Sequence, residues 1–367
     1  MSIEILGSSL IYANPKPHLR SRQGAFPTVV RLRDGSLLAS YMVGEAFESA
    51  DGHTELSRST DDGASWEMLG PMPRTPAAHP TSESGRLSVA HDGTVLCYVP
   101  RFDRSDPEKS IGNAETNGLI ECDLGLYRST DDGKTWSDIE LIDPGVPGPY
   151  EVASPIRVLS DGRWLAIFST WRAWDGTRRT PERTMALVSA DEGRTWGPRI
   201  TLFEDPEDLT CFWETRVIEL NDGRLLTLCW AHDHRTAKDL PNQFAISTDG
   251  LTFSERRSTG LPGQTCSPID VGDGKLLCVY NHRYDDPGVR AALVEYSDNG
   301  DWPVVDQITL WGQSAPTARA ASVVGSMNQF RFGYPTVMHL SGRDYLVAFW
   351  CMENSQLVCR STRIRLS

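Results

Sequence analysis

Short apolar runs recur in pairs along this chain, each pair joined by a turn signal and bounded by polar, Gly- and Pro-containing segments. The first copy, FPTVVRLRDGSLLASY, reads as a strand, a turn at Asp34-Gly35 and a second strand. The same pattern turns at Asp92-Gly93, Asp161-Gly162, Asp222-Gly223 and Asp273-Gly274, and in degenerate form at Ser341-Gly342. Asp-Gly between β-forming runs predicts hairpins with two-residue turns, because Gly tolerates the positive φ that tight hairpins need. Six hairpins are expected.

A second pattern is interleaved with the first. Ser-x-Asp-x-Gly-x-x-Trp occurs as Ser59 to Trp66, Ser129 to Trp136 and Ser189 to Trp196. A shortened copy runs from Ser247 to Phe253, and a decayed one lies around Ser297 and Trp302. At a hairpin such a box has a physical role: its Asp accepts bonds from turn amides, its Gly takes the unusual backbone angles, and its Trp packs between neighbours.

Each repeat then reads as strand A, the Asp-Gly turn, strand B, a variable loop, strand C, the box and strand D, which is a four-stranded blade. The final repeat supplies only three strands, up to Leu366, while Ile3–Tyr12 precedes the first hairpin without a partner. The expectation is an all-β, six-bladed propeller of antiparallel blades, with the amino-terminal strand completing the last blade and removing the open edges. A single domain over residues 1–367 follows from that closure.

Composition narrows the partners. A formal charge of −13 disfavours nucleic acid. Glu4 and the short, broken apolar segment near the amino terminus argue against an export signal, and no membrane span is read, so a cytoplasmic protein is expected. Eight cysteines without a C-x-x-C pair point to buried free thiols.

The boxes, the first A strand and the near-terminal FGYPTVMHLSGRDYLVAFWCME resemble the sialidase superfamily over essentially the whole chain. Fold likeness alone does not name a substrate. In this layout the Asp-Gly turns and boxes share one face, so Asp61, Asp131, Asp191 and Asp249 read as structural. The opposite face, built from the D-to-A and B-to-C loops, gathers ionisable and aromatic residues from every blade: Arg20, Arg22, Gln23, Glu45, Glu48, Asp51 and His53; Glu83, Arg86, Arg101, Asp103 and Arg104; Tyr150, Glu151, Trp171, Arg172, Trp174 and Asp175; Trp213, Glu214, Trp230, His232, Asp233, His234 and Arg235; and Asp270, His282, Arg283, Tyr284, Arg331, Tyr334, Trp350 and Glu353. The resemblance implies a Tyr nucleophile, a Glu that takes its proton, an Asp acid/base and three Arg that hold a substrate carboxylate. It places the nucleophile at Tyr334 and the base at Glu214, with pairing to Arg216 as the alternative for that Glu. The acid/base falls at Asp51, with Glu45 and Glu48 as competitors, and an Arg-orienting Glu at Glu353.

Two positions depart from the family pattern: Ala25 and Trp230 stand where carboxylate-binding arginines are expected. Arg22, Arg172, Arg235 and Arg283 are candidates to restore the clamp from other loops, beside Trp230, His232, His234 and His282 as sugar contacts. His232-Asp233-His234 also admits a metal reading, but two loop histidines without a third spaced ligand favour sugar contacts, so neither metal nor cofactor is expected. The resulting reading is an exo-acting glycoside hydrolase acting on a glycan or small glycoside. The alternatives are a polysaccharide lyase acting on a uronate, in which a His or Tyr abstracts the proton and His232 or His282 becomes central, and a non-catalytic glycan- or protein-binding propeller.

Overall fold

In the computed structural model, residues 1–313 and 322–367 are described. Six antiparallel sheets form the blades of a β-propeller, and among the described residues the only α-helix is the short Val323–Met327. Blade 1 contains Gln23–Arg31, Leu37–Gly44, His53–Ser59 and Glu67–Pro71. Blade 6 contains Phe332–Ser341, Asp344–Glu353 and Gln356–Leu366, and its fourth strand is Ile3–Tyr12, paired antiparallel from Ile3 opposite Leu366 to Tyr12 opposite Cys359. The ring therefore closes as expected, and the last blade has no open edge on that side.

Apolar layers lie between blades. Leu96, Tyr98, Phe168 and Leu187 fill the space between blades 2 and 3, while Leu277, Val289, Val347 and Phe349 fill that between blades 5 and 6. A central cluster draws Tyr41, Trp171, Trp213, Trp230, Tyr334 and Trp350 to the axis from several blades. All eight cysteines are buried and free. Among the described residues no helix is long and apolar enough to cross a membrane.

The hairpin turns differ from the two-residue form expected. In blade 1, Leu32 N–H donates to Ser36 O at 2.8 Å and Gly35 N–H to Leu32 O at 3.0 Å, enclosing a three-residue loop. Blades 2, 3 and 4 repeat this geometry, with positive φ confined to Gly93, Gly162 and Gly223. The Asp stays in ordinary space because its carboxylate captures the amide two residues on, as Asp34 does with Ser36 N at 2.9 Å. In Asp273-Gly274 both residues have positive φ, 53° and 68°, as a two-residue turn requires.

The three full boxes make one set of bonds. Ser129 Oγ lies 2.8 Å from Asp131 Oδ1 and accepts from Gly133 N at 2.8 Å, while Thr135 N and Oγ1 donate to the Asp131 carboxylate at 2.8 and 2.7 Å. The copies at Asp61 and Asp191 match it. Gly133 combines a φ of 81° with a close approach to the next blade, since a Cβ there would sit 2.7 Å from Leu38. Trp66 reaches across to blade 6, donating to Ser361 Oγ at 3.0 Å.

Candidate active site

At the other end of the strands the regularity stops. The A strand of blade 1 loses register between Ala25 and Thr28, that of blade 4 (Thr210–Glu219) between Trp213 and Arg216, and that of blade 6 between Gly333 and Thr336. Inside these bulges Phe26, Glu214 and Tyr334 take φ values of 56°, 50° and 51°. Residues this bulky avoid that region, where each costs about 1–3 kcal/mol. Blades 2 and 3 split their A strands at the same level, into Thr81–Glu83 and Arg86–Val89 and into Tyr150–Glu151 and Arg157–Val158. These breaks turn side chains from the sheet faces toward the axis.

They surround an inner cavity of about 120 Å3. Its wall is largely aromatic, from Phe26, Phe47, Trp213, Trp230, Phe330 and Trp350, and its polar groups include Glu48, Glu83, Arg86, Glu151, Glu214, Arg283 and Tyr334. A wider outer cavity of about 540 Å3 adjoins it, sharing Phe47, Glu48, Met327 and Phe330.

Tyr334 is 1% exposed, and its ring lies between two guanidiniums, with Arg86 and Arg216 each 4.6 Å from the ring centroid. Its hydroxyl donates to the Ala153 carbonyl. Burial raises the phenol's pKa, against the pull of Arg86 and Arg216. Glu214 is likewise raised by burial, opposed by Arg283, Arg216 and Arg86, and its Oε2 is buried without a hydrogen-bond partner. Glu151 is pushed up to about 7, by burial first and by the neighbouring Glu214 second.

Arg283, 2% exposed, donates through Nε to Phe332 O at 3.4 Å and stacks 3.7 Å from the Phe330 ring centroid. Gly333 permits this approach, since a Cβ there would meet Arg283 Nη2 at 2.5 Å. Arg86 Nε, Arg216 Nη2 and Arg283 Nη1 are buried without hydrogen-bond partners. Glu83, in contrast, is neutralised by Arg101 at 3.0 Å and Arg74 at 3.6 Å.

Of the residues given a catalytic or substrate-binding role from sequence, Tyr334, Glu214, Trp230 and Arg283 line the inner cavity, as does Glu48, the competitor of Asp51. Asp51, Glu45, Glu353, Arg22, Arg172, Arg235, His232, His234 and His282 are not part of its lining. Asp51 and Arg22 pair with each other at 3.0 Å on the blade 1 loop. Burial alone would raise the Asp51 pKa, but the Ser49 hydroxyl, the Glu45 amide and Arg22 outweigh it and hold it low. Glu353 is bound by Arg360 through both oxygens, at 2.5 and 3.1 Å, and so orients an arginine at the back of blade 6. Arg235 is largely exposed beside Asp233, and His282 ends the B strand of blade 5, Lys275–His282.

The His232-Asp233-His234 segment does not converge on one point. His232 Nδ1 lies 2.8 Å from Asp239 Oδ1, which also accepts from Trp230 Nε1 at 2.9 Å, so this histidine steadies a cavity wall from behind. His234 Nε2 lies 2.8 Å from Glu182, whose other oxygen takes Arg172 at 2.6 Å. Asp233 accepts the amides of Arg235 and Thr236. Among the described residues, Glu182, Cys211 and His234 offer donor atoms within 4.8 Å of one another. Arg172 and His234 already occupy that carboxylate, and burial holds the Cys211 thiol far above its ordinary pKa, which disfavours the thiolate a metal requires.

From sequence, Arg86 and Glu151 stood only among the residues of the functional face, and Arg216 only as a partner for Glu214. For the arginines a signal existed: both stand six residues before the Asp of their hairpin turn, at Asp92 and Asp222. For Glu151 the signal was its place on the functional face, while its reach to the axis depends on the break in a strand that pattern alone reads as continuous.

No family model matches the chain. The sialidase of Clostridium perfringens is 23% identical over 243 residues, covering 60% of this chain and 60% of that protein. The match thus spans less than two thirds of the curated relative. Among solved structures, a Penicillium chrysogenum α-L-arabinanase complexed with arabinobiose superposes with a TM-score of 0.66 at 16% identity, covering 98% of each chain. The intramolecular trans-sialidase from Ruminococcus gnavus, in complex with oseltamivir carboxylate, gives 0.61 at 14%, over 99% of this chain and 98% of that one. What these likenesses show is the fold: the chain shares its six-bladed β-propeller with sialidase and arabinanase structures.

Proposed function

We propose that this protein is an exo-acting glycoside hydrolase that removes a terminal sugar from a glycan or glycoside. The observation that carries the reading is Tyr334. A strained backbone delivers its phenol to an aromatic-walled axial cavity, between two guanidiniums and beside the Glu214 carboxylate. A phenol approaches an anomeric centre without the repulsion a carboxylate nucleophile would meet at an acidic sugar. Glu214, poorly solvated and with a free oxygen, takes the phenol proton as the bond to carbon forms. Aromatic walls suit the apolar faces of a sugar ring.

Arg86, Arg216 and Arg283 supply what Ala25 and Trp230 lack, and their unfilled N–H groups favour an acidic sugar. The arabinanase and trans-sialidase likenesses are consistent with glycan chemistry on this scaffold. Neither His232 nor His282 lines the inner cavity, which favours hydrolysis over a histidine-driven lyase. A panel of aryl glycosides that includes a sialoside and uronides tests the proposal through aryl alcohol release. Hydrolysis of at least one member, lost in Tyr334→Phe, is expected. An inert wild-type protein on the full panel, or absorbance from a new double bond in the product, would overturn it.

A further inference from the structure

We propose that Glu151 is the general acid and base of this site, the role expected of Asp51. The assignment rests on the glycosidase reading above and identifies the proton donor within it. Asp51 lies outside the inner cavity and is bound by Arg22, the Ser49 hydroxyl and the Glu45 amide, all of which favour its ionised form.

Within the cavity the carboxylates sort by their partners. Glu83 is neutralised by Arg101 and Arg74 and accepts the Tyr127 hydroxyl at 3.2 Å. Glu48 is anchored by the Ile111 amide at 3.0 Å, at the wall shared with the outer cavity. Glu214 stands beside Tyr334 as its proton acceptor. Glu151 remains, in the segment that holds the nucleophile: Ala153, two residues on, receives the Tyr334 hydroxyl, and Glu151 lines the inner cavity together with Glu214 and Tyr334.

The charged groups acting on Glu151 are Glu214, which opposes its ionisation, and Arg216 and Arg86, which favour it. Burial and Glu214 prevail, so the carboxyl stays protonated up to about pH 7. Burial raises both carboxyls, and two such groups sharing one site do not ionise together, so one holds a proton while the other accepts one.

The steps balance. As the Tyr334 oxygen bonds to the anomeric carbon and passes its proton to Glu214, the bond to the leaving oxygen breaks and Glu151 gives that oxygen its proton. In the second half, Glu151, now a carboxylate, takes a proton from the water that attacks the anomeric carbon. The Tyr334 oxygen leaves and recovers its proton from Glu214. One water is consumed and no oxidant or cofactor is needed.

The test compares the full-length wild type with Glu151→Gln on two aryl glycosides of the same sugar, one with a dinitrophenyl and one with a phenyl leaving group. A missing acid matters only where the leaving oxygen needs a proton. The loss in kcat/KM should be about 100- to 10,000-fold for phenyl and under about tenfold for dinitrophenyl. Azide should restore turnover of the activated substrate by giving the glycosyl azide, and the fall in wild-type kcat/KM above about pH 7 should vanish in the variant.

Equal losses on both substrates, an unchanged alkaline limb, or the leaving-group pattern appearing instead in Glu48→Gln or Asp51→Asn would overturn the assignment. If Glu151→Gln fails to fold, Glu151→Asp serves, with the phenyl substrate expected to suffer most and uniform loss counting against the role. A wild type inert on every glycoside would sink the hydrolase reading itself, whereas an active wild type with an unaffected variant sinks only Glu151.

Discussion

The two ends of the blades solve different problems with the same strands. At one end, Asp61, Asp131 and Asp191 bind their own turns through matching bonds, all between 2.6 and 2.9 Å. At the other end the backbone breaks recur but the side chains differ. Phe26, Glu214 and Tyr334 occupy matching bulges yet present an apolar ring, a carboxylate and a phenol to one cavity. Repetition there would bring identical groups to the axis, and chemistry needs unlike ones. The repeat is thus kept where the turns bind themselves and broken where the cavity is lined.

Substitutions at the two ends should therefore separate activity from stability. The largest effect is expected at Tyr334→Phe, with roughly a thousandfold or greater loss of kcat/KM at an unchanged thermal midpoint. Glu214→Gln should cost about a hundredfold or more in kcat, measured at saturating substrate, since the phenol then lacks its proton acceptor. Next comes pH. Glu151 has its pKa raised to about 7, so the fold favours its neutral form; that contribution to stability is complete below about pH 4.5 and is lost as pH rises through about 7. Wild-type kcat/KM should fall above that pH, and Glu151→Gln should raise the thermal midpoint at pH 8 but not at pH 4.

The smallest effect on activity belongs to the boxes. Asp131→Asn and Asp191→Asn should leave kcat/KM within about twofold while lowering the thermal midpoint at pH 7. Both carboxylates are held at about 2, chiefly by the hydroxyls of Thr135 and Thr195, so their contribution is present above 3.8 and fades as pH falls toward 2. The wild-type advantage should shrink accordingly in acid melts. A loss of turnover in these variants as large as that at Tyr334 would erase the distinction between the two ends.

The blades were legible because repetition multiplies a weak signal: one Asp-Gly between apolar runs suggests a hairpin, and six at blade spacing define a ring. The closing strand Ile3–Tyr12 was legible for the same reason, as the missing fourth member of a counted set. The three-residue form of the turns escaped, because Asp-Gly marks where the chain reverses and leaves open whether Arg33 belongs to the strand or the loop. The site was legible in part. Tyr334 and Glu214 sit in segments whose family pattern survives, and Arg283 was among the arginines named. Asp51 was placed by its distance from a box along a loop, but the loop folds that carboxylate onto Arg22. Glu151 was legible as a residue of the functional face but received no catalytic role, because its reach toward the axis depends on the break between Tyr150–Glu151 and Arg157–Val158, which alternation along a strand does not mark.

The central claim is that the broken strand of blade 6 presents Tyr334 to the anomeric carbon. The most direct measurement is to incubate the wild-type protein with the fluorinated, activated form of whichever glycoside it hydrolyses, and to map the trapped sugar by peptide mass spectrometry. A sugar adduct on Tyr334, absent from Tyr334→Phe, is the predicted result. An adduct on Glu214 or Glu151 with Tyr334 unmodified, or undiminished turnover by Tyr334→Phe, would contradict it.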